Sequence, residues 1–469
     1  MEGRCIEYLL GHKATPSLTD SHGFNALHYA AAAGNSVAVQ HLLEFGESGL
    51  FSQAGHQALS PLHLAAYNGH RDTLLILLSR FNTVDLTDSL GRTPLYLSSY
   101  AGKPDCVSLL LEQGAMVTRP ASGCGLTPVH CAASQGHVEC LRLLLDNTED
   151  SGAPDTPATT VLAASPLMMA AYPGHKQCVE LLIRYGASVR SVDTSGRSAL
   201  VWSVVSGQED CVRVMIEAGA DPRSRDSRGR TAAHVAAAHG QVIVLGTLLG
   251  TDSSSLSTTD KEGYTPLHYA AYHGQTAALE MMLQSEMILT TDSASSFSPL
   301  HCALVSGHEQ CVQILLSQSH TAGVNSPDSA GLTPLHIAAA RNLLPSVKLL
   351  ISHGALINAR DAGERTPVML AAGGGHLGVL EYLVEQPGLD HESCDASSNT
   401  VLHHACSQGM SKSANIFLRT PSSEFVSKQN SDGKSALHLA AGKGLVETVE
   451  LLLGAGASVT CADNQVNTK

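Results

Sequence analysis

Histidine is the commonest chemistry-bearing side chain to recur at one spacing in this chain, with 24 in 469 residues. In the stretch TPLHYAAYHG, which begins at Thr265, His268 stands three residues after a threonine. The same place is histidine in nine near copies: His28, His63, His130, His234, His268, His301, His336, His403 and His438. Imidazole is both a frequent metal ligand and the usual general base, so a row of them raises metal binding or proton transfer as the first chemistry to test. Spacing argues against a shared ion. If each copy opens a helix, neighbouring helices lie about 8–10 Å apart, whereas a zinc–histidine bond is about 2 Å long. Each ring instead falls within reach of its own threonine or serine and of nearby backbone. The remaining copies carry Tyr96, Met168, Val201 and Met369.

Cysteine follows a similar rule. Cys106, Cys140, Cys178, Cys211 and Cys311 each come thirteen residues after the start of a copy, and Cys5 fits an incomplete earlier unit. The face that begins at Cys106 continues through Leu109 and Leu110, so these thiols read as small core hydrophobes. No Cys-x2-Cys pair of a structural zinc site accompanies them. The DGKS at 432–435 ends like a phosphate loop, but Lys428 stands where its first glycine is required, and GGGHLG at 373–378 lies at a helix end. No catalytic residue, cofactor or metal is therefore assigned.

What positions these residues is a repeat. Boxes begin at Asn25, Ser60, Thr93, Thr127, Ser165, Ser198, Thr231, Thr265, Ser298, Thr333, Thr366, Thr400 and Ser435, spaced 33 to 38 residues apart. Ser, Thr or Asn followed by Pro starts a helix, because the side-chain oxygen caps free N–H groups and proline lacks only a hydrogen that would go unused. Nine residues on stands glycine, or Asn342 once; that choice marks a left-handed helix end. A small residue sits at the Ala270 place in every copy, so that adjacent helices can approach. A second, greasier helix follows, as in CVELLIRYGA from Cys178, and a polar turn such as RDSRGRT leads to the next box. One such unit is too small to bury its own apolar faces and must stack on others.

Composition agrees with a soluble, unexported array. The net charge of −14 opposes general nucleic-acid binding. No apolar run is long enough to span a membrane, and MEGRCIEYLL lacks a signal-peptide pattern. Twelve cysteines without paired spacing suit a reducing compartment, the cytosol or nucleus.

These boxes, best seen in SPLHLAAYNGH from Ser60, resemble the ankyrin repeat. The resemblance implies an all-α solenoid of about thirteen helix-turn-helix units in a single array over 1–469, with a partial repeat over 1–24, finger turns and a concave groove. Longer strings, among them GRTPLYLSSYAGKPDCVSLL, LTPVHCAASQGHVECLRLLL and FSPLHCALVSGHEQCVQILL, look like the C-terminal half of the regulatory ankyrin-repeat subunits of protein phosphatase 6. That likeness implies a noncatalytic scaffold whose partners are phosphatase catalytic and accessory subunits and their substrates, with no nucleic acid and no insertion into membrane. An adaptor that grips cytoplasmic tails of membrane proteins is the alternative.

The resemblance also places the residues before the terminal glycine in the groove, where Tyr67, Tyr100, Tyr172 and Tyr272 form candidate partner anchors. A second candidate is basic. From Arg184 to Arg230, eight arginines face six acidic residues, making this window +2 in a chain otherwise −16, and Arg223, Arg225, Arg228 and Arg230 crowd one finger. Bidentate contacts there suit an acidic or phosphorylated segment. The long unit from Thr127 carries DNTEDSGAPDTPATTVLAAS, which reads as a mobile finger. Fingers before Ser60, Ser165, Ser298 and Thr400 lack the usual glycine two residues upstream, and irregular turns are expected there. At the ends, Met1 to Gly11 reads as a second helix without its partner, and DNQVNTK stops where a fourteenth box is due, so the chain looks like a segment of a longer array.

Overall fold

The capped boxes do begin helices. Pro stands in the first helical turn of the Pro61–Asn68, Pro94–Tyr100, Pro128–Gln135, Pro266–Tyr272 and Pro334–Ala340 helices, each preceded by an extended Ser or Thr. The glycine nine residues later is left-handed in all twelve copies, and Asn342 takes φ 59° in the thirteenth. Glycine has a second reason to be there. A Cβ on Gly102 would come within 2.5 Å of the His137 ring of the next repeat, and one on Gly136 within 2.6 Å of His175. Backbone freedom and close approach thus act at one residue.

A computed structural model describes residues 2–44, 48–51, 59–81, 83–148, 155, 157–158, 163–284, 297–317, 323–418 and 423–464. Most of the long finger, at 149–154, 156 and 159–162, and the turns just before Ser60 and Ser298, lie outside these residues. Among those described the chain is helical, with isolated bridges such as Val192–Ser198 and Gln429–Ser435 and no strands. It forms two compact units, Met1–Ala232 and Ala233–Lys469, each a stretch of ankyrin-type solenoid.

In the first unit the Glu2–Gly11 helix packs on Ser36–Glu44, and second helices continue pairwise through Arg71–Leu78, Pro104–Glu112, Val138–Asp146, Lys176–Arg184 and Glu209–Glu217. First helices pair in parallel, from Ala26–Ala33 to Ala199–Val205. In the second unit the same two layers run from Pro266–Tyr272 to Ala436–Gly442 and from Val242–Thr251 to Val446–Gly454. Alanines make the first layer tight: Ala65, Ala66, Ala132, Ala133, Ala270, Ala271, Ala338 and Ala339 are fully buried. Leucines and cysteines fill the second, where Leu74, Leu110, Leu141 and Leu182 have no exposed surface. Each such leucine contributes about 1.5–3 kcal/mol.

The finger before Thr400 corrects the expected irregularity. Ser398, lacking glycine's freedom, still adopts φ 59°, and the turn closes normally with Asp395 N–H on Asn399 O at 3.0 Å. Glu364 does the same before Thr366. The cause is the aspartate at the start of each turn. Asp395 Oδ1 accepts the N–H groups of Ser397 and Asn399, and Asp361 Oδ1 those of Gly363 and Arg365. A left-handed non-glycine residue costs about 1–2 kcal/mol, and these bonds offset it. Before Ser165, Ala163 is likewise left-handed, at φ 47°.

Candidate functional site

Every ring nitrogen of a typical box histidine is committed. In the repeat that begins at Ser60, the backbone N–H of Ser60 donates to His63 Nδ1 at 3.2 Å, and the Ser60 hydroxyl lies 2.8 Å from the same atom. Nδ1 therefore accepts, which leaves the hydrogen on Nε2, and that N–H donates to the carbonyl of Arg92 in the next finger at 3.0 Å. His336 repeats the pattern onto Arg365 O at 2.9 Å, His403 onto Lys434 O at 3.0 Å and His301 onto Leu332 O at 3.1 Å. Burial pushes His63, His301, His336 and His403 below the ordinary histidine pKa, and His268 down to about 4. These are neutral mortar between repeats, poor bases with no lone pair to offer a metal. Among the described residues no three potential ligands converge.

A second row of donors went unread in the sequence. In four repeats the histidine after the terminal glycine reaches back to the preceding repeat: His70 Nε2 to Ala32 O at 3.0 Å, His137 to Tyr100 O at 3.1 Å, His175 to Ser134 O at 3.1 Å and His376 to Ala340 O at 2.9 Å. These carbonyls close the first helices, where orphan acceptors need partners. The recurring Gly-His pair was the available signal.

The fingers are held by their aspartates. Asp88, Asp193, Asp226 and Asp361 sit five residues before a cap, their side chains 0–2% exposed, and each takes the guanidinium of the arginine four residues on: Arg92 at 2.6 Å, Arg197 at 2.8 Å, Arg230 at 2.7 Å and Arg365 at 2.7 Å. Burial alone would raise Asp193 and Asp361, but hydrogen bonds from backbone and arginine outweigh it and hold both below the usual carboxylate range. Fingers also join each other. Ala362 N–H donates to Ala330 O, Ala396 to Gly363 O, Ser431 to Ser397 O and Asn464 to Asp432 O, each at 3.0 Å. The DGKS at 432–435 is part of this ribbon, with Asn430 Oδ1 closing the turn and Ser435 capping the next helix.

The four tyrosines all keep exposed faces, between 44% and 50%. Tyr67 and Tyr100 meet around one cavity of about 480 Å³, with Leu59, Leu64, Leu97, Tyr96, His63 and Arg92. Tyr172 packs edge-on against Trp202 at 5.8 Å. The indole N–H of Trp202 donates to Asp193 at 3.0 Å and the Arg197 guanidinium lies 5.2 Å from its ring. Trp202, the sole tryptophan, is thus a braced, partly buried platform that its place in the sequence does not single out. Tyr272 belongs to the other unit, against His273 at 5.2 Å. Of the basic cluster, Arg223, Arg225 and Arg228 are exposed, while Arg230 is tied to Asp226.

The thiols are core. Cys106, Cys140, Cys178, Cys211 and Cys311 are buried, and burial raises them to about 11 or 12. Among the described residues no helix is long and apolar enough to cross a membrane.

Comparison with known proteins bears on the whole chain. The chain is 33% identical over 112 residues to the palmitoyltransferase AKR1 of Lachancea kluyveri, covering 24% of this chain and 15% of that protein. It is 33% identical over 137 residues to the B-cell lymphoma 3 protein homolog of Mus musculus, covering 26% and 31%. These matches span less than a third of either relative. The human ASB11 ankyrin repeat domain is 27% identical, with a TM-score of 0.43, over 49% of this chain and 98% of that structure. A family model described as ankyrin repeats in three copies matches residues 1–88, 62–155, 155–226, 221–292, 287–361, 316–395 and 368–463. The chain belongs to the ankyrin-repeat family, whose stacked units are scaffolds for binding other proteins.

Proposed function

We propose that this array is a noncatalytic scaffold, a regulatory and substrate-targeting subunit of a protein phosphatase 6 complex in the cytosol or nucleus. The observation that carries the scaffold reading is the division of labour along each repeat. The histidines, finger aspartates and cysteines are spent on internal contacts, while tyrosines at matching places remain half exposed. Aromatic side chains with a polar tip are frequent anchors at protein interfaces. The phosphatase assignment rests on the strings from Gly91, Leu126 and Phe297, which look like the regulatory subunits of that enzyme. Catalysis then belongs to a separate metal-bearing subunit.

Affinity purification of the tagged protein from cells tests it: recovery of the phosphatase 6 catalytic subunit supports the assignment, and its absence beside recovered transporters or channels replaces it with the membrane-tail adaptor. Replacing Tyr67, Tyr100, Tyr172 and Tyr272 together with Ala should weaken recovery while leaving helical circular dichroism unchanged.

A further inference from the structure

One break in the histidine row leaves a cap without its usual imidazole partner. Four boxes lack histidine, and in three of them a large side chain, Tyr96, Met168 or Met369, occupies the place. Val201 is the smallest substitute, buried at 2% exposure. Elsewhere an imidazole nitrogen lies about 2.8 Å from the cap oxygen, as at Ser60 and Thr127. Here the cap Ser198, itself 3% exposed, makes no side-chain capping bond, and its hydroxyl meets only Ser224 Oγ at a long 3.4 Å. Ser198 and Ser224 line a cavity of about 300 Å³ together with Val189, Arg190 and Asp221.

The surroundings are basic and rigid. Arg190, Arg223, Arg225 and Arg228 are exposed on the two fingers that form the cavity. Asp193–Arg197 and Asp226–Arg230 pairs brace those fingers, and Ser227 N–H donates to Ser195 O across them at 2.8 Å. Asp221 is spent in part on the backbone N–H of Arg223, at 2.9 Å. We infer that this cavity between the Ser188–Arg197 and Asp221–Arg230 segments seats a carboxylate side chain of an acidic peptide. Ser198 and Ser224 hydroxyls donate to the carboxylate, Arg190 supplies the facing charge, and the arginines of the second finger receive the flanking acidic residues. The local excess of +2 in a chain otherwise −16 lets an acidic segment meet attraction here rather than the repulsion of the chain's net charge. The inference rests on the scaffold reading and adds to it a site and a ligand chemistry.

The test is fluorescence anisotropy of fluorescein-labelled octaglutamate with the full chain, at low and physiological salt. Binding should weaken as salt rises. Val201→His, which restores the missing imidazole against Ser198, should weaken octaglutamate binding at least tenfold while leaving thermal stability equal or higher. Arg190→Glu with Arg228→Glu should do so too, with unchanged circular dichroism. Should Val201→His fail to fold, Ser198→Ala with Ser224→Ala takes its place and should lower affinity at least fivefold. Affinity within twofold of wild type in the cavity variants overturns the inference, even if charge reversal still weakens binding, since that result leaves only a charged surface. Displacement of the peptide by low-millimolar inorganic phosphate overturns it in favour of a small-anion site. Recovery of the phosphatase catalytic subunit is read separately, so loss of one result leaves the other standing.

Discussion

Replacing His268 with glutamine removes a ring that must stay neutral for its repeat to stay closed. His268 Nδ1 accepts from the Thr265 backbone at 3.1 Å and meets the Thr265 hydroxyl at 2.8 Å. Burial lowers its pKa from 6.5 to about 4, and the charges of His234 and His301 push the same way. The Phe297 carbonyl and Asp260 oppose the shift, yet no hydrogen bond of ordinary geometry reaches Nε2, so burial prevails. The folded state therefore binds a proton less readily than the unfolded one. Above pH 6.5 both are neutral and the contribution is fully present; it is lost as pH falls from 6.5 toward about 4. At 1.36 kcal/mol per unit the full span is worth about 3 kcal/mol, and about 2 kcal/mol is gone by pH 5. His268→Gln should cost about 1–2 kcal/mol at pH 7 through lost hydrogen bonds, but should forgo the acid penalty, so at pH 5 the variant should match or exceed wild type. Hydrogen-exchange mass spectrometry of the segment 265–283 reads this locally. After correction for chemical exchange, wild-type opening should rise about 30-fold more between pH 7 and pH 5 than opening in the variant. An equal rise in both proteins refutes the reasoning.

Other expectations follow from the same contacts. Gly102→Ala, with φ 68° and the His137 ring 2.5 Å from the new carbon, should lower Tm more than Gly114→Ala, where φ is 79° but nothing lies within 4 Å; the second should cost only about 1 kcal/mol of backbone strain, and equal losses would remove the contact between repeats as a cause. Asp361→Ala should destabilise the second unit by about 1–3 kcal/mol, because two backbone N–H groups and Arg365 lose their acceptor, which urea unfolding followed by circular dichroism would measure. Maleimide labelling of native protein, mapped by mass spectrometry, should mark the half-buried Cys124, Cys394 and Cys461 before the buried Cys106, Cys140, Cys178, Cys211 and Cys311; prompt labelling of the second group would contradict their place in the core.

What could be read without coordinates was whatever the backbone dictates locally. A cap needs Ser, Thr or Asn, and a left-handed helix end needs Gly or Asn, so box positions and helix ends showed in residue type alone. The same logic failed at Ser398, because there the determinant is the carboxylate of Asp395, three residues back; Asp361 holds Glu364 in the same way. An aspartate in a polar turn looks like solvated surface from its neighbours, and only folding reveals that its side chain is buried and holds the finger shut. The histidines were legible as structural by distance, but their full role needed the next repeat, since half their bonds end on a carbonyl some thirty residues away.

The tyrosines show the limit more sharply. Their common register marked one face, yet the coordinates divide them by what each touches: Tyr67 and Tyr100 share a cavity, Tyr172 leans on Trp202, and Tyr272 stands in the other unit. Trp202 shows no special spacing in the sequence because its position is also held by Tyr29, Tyr269 and His404, which bind the finger aspartate in the same way. The regular repeat thus makes specific sites hard to find by pattern, and the informative residues are those that depart from it. Val201 is such a departure. Its consequence is a missing contact at the Ser198 cap, which is why the row of histidines had to be seen in place before the gap in it acquired a meaning.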